Sequence, residues 1–235
     1  MVSNPIIAAL DVSDADEALR LAERLAGAVG AVKIGKELFV TAGPDIVRRV
    51  RATGAAVFLD LKFHDIPNTV AKAVAAATRL DVQMLTIHTS GGADMMGAAE
   101  KAAQDAAAES GLEAPLVLGV TVLTSMDAED LAGVGVHAEP AAQVERLARL
   151  AADSGLRGLV CSPLEIVRLR EVLPRDVRLV TPGIRPADSS TQDQKRVMTP
   201  ADAIRAGADW LVIGRPITQA ADPRAAAEAI LASLG

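Results

Sequence analysis

Phe58-Leu59-Asp60-Leu61-Lys62-Phe63-His64-Asp65-Ile66-Pro67-Asn68-Thr69 begins as an apolar strand, breaks into charge, and reaches a proline able to open a helix. It reads as one strand-to-helix unit with its polar residues gathered at the junction. Strand side chains alternate between faces, so Asp60 and Lys62 are expected on one face and Leu59 and Leu61 on the other. A charge at the end of a buried strand is costly to desolvate unless it is paired. Asp60, Lys62 and Asp65 therefore mark a working site, against the plainer reading of a structural ion pair at the rim of a sheet.

The unit recurs along the chain. Short apolar runs at 6–10, 31–34, 56–61, 84–88, 116–122, 158–161, 178–181 and 210–213 read as strands. Ala-rich, charge-spaced segments at 14–28, 44–53, 69–80, 93–109, 140–154, 163–173 and 200–206 read as helices, and a last one at 222–234 follows. Several open on Pro or Asp, and Gly54, Gly155 and Gly207 sit where C-terminal caps belong. Eight strands each followed by a helix predict a (β/α)8 TIM barrel, with 1–235 as one domain. A doubly wound open sheet is the competitor, and periodicity alone does not separate the two. The longest stretch without periodicity is 183–199, and a loop of that length is more often functional than idle.

Composition narrows the function classes. The chain has 235 residues, half of them hydrophobic and only 2% aromatic, so Ala, Val, Leu and Ile must build the core. Lys and Arg number 24 against 30 Asp and Glu, a net charge of -6, which argues against nucleic acid or an anionic membrane as the main partner. It leaves room for a small anionic substrate held by local cations. The lone cysteine, Cys161, allows no intramolecular disulfide and fits a reducing compartment. The apolar run at 6–10 has no basic lead-in and is too short for a signal peptide, and no apolar run reaches membrane-span length. A soluble cytoplasmic protein is expected.

Polar residues collect at the C-terminal ends of the expected strands, where barrels bind ligands. Asp11 ends the first strand, Lys33 lies on the second, and Asp60 and Lys62 on the third. His88-Thr89-Ser90, Leu123-Thr124-Ser125, Gly183-Ile184-Arg185 and Gly214-Arg215 follow the fourth, fifth, seventh and eighth. The opposite ends show little inward charge. The last two strands echo each other, since Pro182-Gly183-Ile184-Arg185-Pro186 and Ile213-Gly214-Arg215-Pro216 both place Arg-Pro soon after a Gly. Gly admits close approach of an anion to the backbone and Arg offers a planar fork to phosphate. Together they read as a phosphate grip, with rim arginines paired to surface carboxylates as the alternative.

The three histidines, His64, His88 and His137, are too dispersed for a dedicated metal site. His88 is expected to be a hydrogen-bonded rim residue, His64 to orient the Asp65 loop, and Cys161 to pack as a small hydrophobe. Met95-Met96 reads as core or subunit contact. No P-loop, dinucleotide fingerprint or lysine-based cofactor signature stands out, so side chains must carry the chemistry unless a hard metal uses the carboxylates.

Several of these segments together closely resemble the orotidine 5'-phosphate decarboxylase family, in its bacterial branch. They are Ala9-Leu10-Asp11, Val32-Lys33-Ile34-Gly35, the Asp60-x-Lys62-x-x-Asp65-Ile66-Pro67-Asn68-Thr69 block, Val120-Thr121-Val122-Leu123-Thr124-Ser125 and both Arg-Pro echoes. The resemblance covers essentially the whole chain. It implies a homodimeric barrel that converts orotidine 5'-monophosphate to uridine 5'-monophosphate and CO2, using no metal and no organic cofactor. It assigns Lys62 as proton donor to pyrimidine C6, with Asp60 facing the substrate carboxylate. Lys33, Asp60 and Lys62 of one chain would form an alternating array with Asp65 of the other, and Thr69 would also cross the interface. Asp11 and Lys33 would meet ribose, and Thr124 and Ser125 the pyrimidine. Arg185, Gln194, Gly214 and Arg215 would hold phosphate, with 183–199 closing over it. Ile66 and Pro182 count among the substrate contacts.

Two rivals stand beside it. Magnesium-dependent decarboxylases and aldolases of sugar phosphates share the Asp-x-Lys-x-x-Asp arrangement but turn the carboxylates onto a metal. A catalytically silent barrel that only binds a phosphorylated ligand is the other.

Overall fold

The computed structural model describes residues 4–186 and 198–234. Eight parallel strands close into a barrel in chain order: β1 (Ile6–Ala9), β2 (Ala31–Gly35), β3 (Val57–Phe63), β4 (Met84–His88), β5 (Leu116–Val120), β6 (Gly158–Val160), β7 (Arg178–Thr181) and β8 (Trp210–Ile213). Closure comes from β1 pairing with both β2 and β8, through Ile7 opposite Ala31 and Ile6 opposite Leu211. The open-sheet competitor is thereby removed. The helices are α1 (Ala15–Leu25), α2 (Lys36–Ala42), α3 (Asp45–Ala52), α4 (Pro67–Thr78), α5 (Ala93–Ser110), α6 (Ala128–Gly133), α7 (Pro140–Asp153), α8 (Ile166–Val172), α9 (Pro200–Ala206), α10 (Arg215–Thr218) and α11 (Pro223–Ala232). Among the described residues no helix is long and apolar enough to cross a membrane.

The caps explain why these helices start where they do. Asp14 and Asp222 accept backbone N–H groups at the heads of α1 and α11, and Pro occupies the first turn of α4, α7, α9 and α11. Gly207 caps α9 in the left-handed conformation, as its place in the sequence predicts. Three helices were not foreseen. α2 follows β2 without a turn, since Gly35 both ends the strand and caps the helix. α6 carries a capping box between Asp127 and Asp130, but Leu131 is its one buried residue. α10 is a single turn after Gly214.

Period-two alternation divides the core into two shells. Inside the barrel lie Ile7, Ala9, Ala31, Phe58, Met84, Leu118, Val180 and Val212, with Val160 and Trp210 packed against them. Their sequence neighbours Ile6, Ala8, Val32, Val57, Leu59, Leu85, Val117, Leu159, Leu179 and Leu211 point outward and join the helices in the larger apolar shell. Met95 and Met96 are fully buried in that outer shell, so they offer no surface for a subunit contact.

One strand departs from regularity. β3 pairs with β4 through Leu59 opposite Leu85 and next through Phe63 opposite Ile87, so three residues of β3 face Thr86 alone. Lys62 lies within this bulge at φ 54, a conformation uncommon for residues other than Gly. The opposite rim is also less neutral than expected. Asp209 there bonds Arg170, the Arg178 guanidinium at 2.9 Å and the Leu179 N–H at 2.8 Å, a self-contained network that ties β7 and β8 to α8.

Candidate active site

At the C-terminal rim the inward positions carry Asp11 after β1, Lys33 on β2 and Asp60 on β3. Lys33 Nζ donates to Asp11 Oδ1 at 2.8 Å. Lys62 Nζ donates to both Asp60 oxygens, at 2.7 and 2.9 Å. Asp60 and Lys62 meet as the sequence predicts, though not by plain strand alternation. The left-handed turn at Lys62 within the β3 bulge brings its side chain back over the neighbouring carboxylate. The pair is only partly open to solvent, with side chains 15% and 24% exposed for Asp60 and Lys62. Attraction between such charges is stronger there than in bulk water.

Three cavities adjoin these pairs: one of about 270 Å³ lies between the pairs and the head of α2 at Lys36, Glu37 and Leu38, and the other two share walls. Of those two, one, of about 420 Å³, is lined by Asp11, Lys33, Gly183, Arg185, Gly214 and Arg215. The other, about 180 Å³, has apolar walls from Phe58, Val120, Val122, Val160 and Val212, with Asp60, Lys62 and Thr124 at its polar edge. Lys33, Pro182 and Val212 line both, so they form one cleft. The larger lobe alone falls in the size range of small-molecule sites. The cleft thus offers cations at one end and apolar walls at the other, with the Asp60–Lys62 pair beside the apolar end.

The structure thus brings together Asp11, Lys33, Asp60, Lys62, Thr124, Pro182, Arg185, Gly214 and Arg215. The two arginines reach one lobe from different loops. The Arg185 N–H donates to the Met198 carbonyl at 3.0 Å, and Arg215 opens α10. Ser125 is exposed beside Thr124 and is not among the lining residues. Asp65, Ile66 and Thr69 are also exposed and stand outside the cleft, and Asp65 Oδ1 accepts the Ile66 N–H at 2.6 Å. Within the single chain Lys33 pairs with Asp11 and Lys62 with Asp60, and the four side chains line one cavity. Gln194 lies outside the described residues.

Sequence reading missed the apolar lobe and Thr86. Both follow from counting by twos along a strand: Phe58 precedes Asp60 on β3, and Thr86 follows Met84 on β4. Thr86 is fully buried, and its hydroxyl donates to Asp60 Oδ1 and accepts the Lys62 N–H, each at 2.9 Å.

The histidines form a pair, with ring centroids of His64 and His88 5.6 Å apart. Where a hydrogen-bonded rim residue was expected at position 88, the ring partner is His64. Burial holds the His88 pKa below its ordinary value, and the charges of His64, Lys62 and Lys36 push it the same way against the pull of Asp60. Cys161, buried beside the apolar lobe, has its thiol pushed up to about 12, first by burial and then by the charge of Glu165. It packs as a small hydrophobe, as expected. Among the described residues no three His, Cys, Asp or Glu side chains gather as a metal-binding group.

Fold and cleft define a class: a parallel (β/α)8 barrel whose C-terminal rim joins an arginine-lined lobe to a lysine–aspartate pair. The chain belongs to the orotidine 5'-phosphate decarboxylase / HUMPS family, whose model matches residues 4–230. It is 58% identical over 229 residues to an orotidine 5'-phosphate decarboxylase of Opitutus terrae, covering 97% of each chain. It is 51% identical over 234 residues to the Vibrio parahaemolyticus protein of that name, covering 100% of this chain and 99% of the other. Among solved structures, orotidine 5'-phosphate decarboxylase from Lactobacillus acidophilus superposes with a TM-score of 0.85 at 38% identity, covering 99% of this chain and 100% of that one.

Proposed function

We propose that the protein decarboxylates orotidine 5'-monophosphate to uridine 5'-monophosphate and CO2, the last step of UMP synthesis. The observation that carries this reading is the Asp60–Lys62 pair at the edge of an apolar lobe that continues into an arginine-lined one. The names of the relatives, at 51–58% identity over nearly the whole chain, support the same reaction.

In the proposed reaction the bond from C6 to the carboxylate breaks, CO2 leaves, and the electron pair stays on C6. Pyrimidine C6 has no carbonyl placed to absorb that pair as an enolate. Lys62 Nζ stabilises the developing charge and then gives C6 a proton, an interaction strongest as negative charge accumulates. Asp60 faces the departing carboxylate and anchors the ammonium. The apolar lobe takes the pyrimidine face with Thr124 at its edge, and Ser125, exposed next to it, is proposed to reach the pyrimidine when the ligand is bound. Asp11 and Lys33 bind ribose hydroxyls, and Arg185, Arg215, Gly214 and Gln194 bind phosphate beside Pro182. Binding energy from the remote phosphate is then available for positioning. Asp65, Ile66 and Thr69, exposed on the single chain, are proposed to reach the site of a second copy in a homodimer. The free Cys161 thiol supports a reducing, cytoplasmic setting.

The magnesium-dependent alternative is not favoured. Both oxygens of Asp60 are engaged by Lys62, and one of them by Thr86 as well. Mixing the protein with orotidine 5'-monophosphate is expected to give a progressive loss of substrate absorbance that persists in excess EDTA. Lys62→Ala is expected to lower kcat by at least about 10²–10⁴-fold, the usual worth of a positioned proton donor. Full activity without the lysine removes the proposal.

A further inference from the structure

Thr86 lies opposite the only break in the pairing of β3 with β4. Between the pairs Leu59–Leu85 and Phe63–Ile87, β3 inserts Asp60, Leu61 and Lys62 where β4 supplies Thr86 alone. A bulge of this kind pulls backbone groups out of the ladder, and each buried one needs a new partner. The Thr86 oxygen accepts the Lys62 N–H at 2.9 Å. Its one hydroxyl proton goes to Asp60 Oδ1 at 2.9 Å. Asp60 then receives Lys62 Nζ on both oxygens.

The result is a closed circuit of hydrogen bonds: the Thr86 hydroxyl and the Lys62 ammonium both donate to Asp60, and the Lys62 backbone N–H donates to Thr86. Its two ends hold the same lysine by its backbone and by its tip. That grip matters because Lys62 sits at φ 54, a backbone state with little intrinsic preference in its favour. Thr86 is fully buried, so water cannot readily replace the hydroxyl, and a β-branched side chain has few rotamers to escape into.

We infer that Thr86 is a positioning residue for the decarboxylation, fixing both the carboxylate plane of Asp60 and the backbone turn that aims Lys62. The inference rests on the reaction proposed above. It acts through Lys62 and Asp60, so its loss should lower turnover while leaving the phosphate-bearing end of the ligand bound as before.

The test compares wild type, Thr86→Ser, Thr86→Val and Thr86→Cys for kcat and KM on orotidine 5'-monophosphate and for binding of uridine 5'-monophosphate. Val keeps the shape and removes the hydroxyl. It is expected to lower kcat about 10- to 100-fold, the scale of a small misplacement of a reacting group, with nucleotide affinity retained. Ser keeps the hydroxyl and is expected to restore most of the turnover. Wild-type turnover in Thr86→Val, a lower melting temperature with kcat intact, or parallel loss of kcat and nucleotide binding each overturn the inference. If Thr86→Val does not fold, Thr86→Cys, which leaves only a weak donor, decides: a kcat equal to wild type overturns it, and a selective kcat loss upholds it. Absence of turnover in the wild type overturns the proposed reaction itself, and the role of Thr86 falls with it.

Discussion

His88 shows how one residue at the rim couples chemistry to stability. Burial and the nearby charges of His64, Lys62 and Lys36 all disfavour its protonation, and Asp60 alone opposes them. In the unfolded chain the same imidazole takes up a proton near the ordinary value of 6.5. Between that value and the lower folded one, the unfolded state holds more protons, so acid favours unfolding. The stabilising contribution is therefore complete above the ordinary value and lost as pH falls through the depressed one. A melting temperature that declines between about pH 7.5 and 5.5 in the wild type, and declines less in His88→Gln, is the expected outcome. Equal slopes in both proteins would show that His88 is protonated as readily folded as unfolded.

Strands and helices carry the alternation that fills the barrel, and glycine has a steric part in it. Gly158 faces inward on β6, and a Cβ added there would stand 2.5 Å from Leu118 Cδ2 and 3.1 Å from Leu116 Cγ. Leu118 is fully buried and has little room to give. Gly158→Ala is expected to cost about 1–3 kcal/mol in urea unfolding, as overpacked cores do. In a Leu118→Ala background the same change should cost less, and strict additivity of the two would exclude the clash as cause. The elements most legible in the sequence were those with clean alternation or strong punctuation. β7, β8 and α9 coincide with the expected bounds, because Pro182, Asp209, Gly214, Pro200 and Gly207 punctuate them; β4 coincides too, from its apolar run alone. α2 was not legible, since it is a seven-residue helix that follows β2 directly and buries only Leu38, which leaves no apolar period to read. The β3 bulge was not legible either. A left-handed position usually announces itself with glycine, and this one is held by Lys62 through a residue 24 positions away.

At the scale of the whole molecule, parallel closure places every strand's C-terminal end on one rim, and most of the cleft residues could be named from that rule alone. Residues that do not end a strand inward were harder to place. Asp65, Ile66 and Thr69 stand exposed just beyond β3 and at the head of α4, outside the cleft of their own chain. The exposed Ile66 side chain, at 66% of its full area, is an apolar group that a partner surface would cover. If Asp65 serves the neighbouring chain, each site of a dimer takes Lys62 from one copy and Asp65 from the other. Lys62→Ala and Asp65→Asn proteins, each nearly inactive alone, then form hybrids with one wholly native site. Random reassortment makes half the dimers hybrid, so a dissociated and remixed pair should recover about a quarter of wild-type activity. A site confined to a single chain gives no recovery, because every chain in the mixture carries a defect in its own cleft.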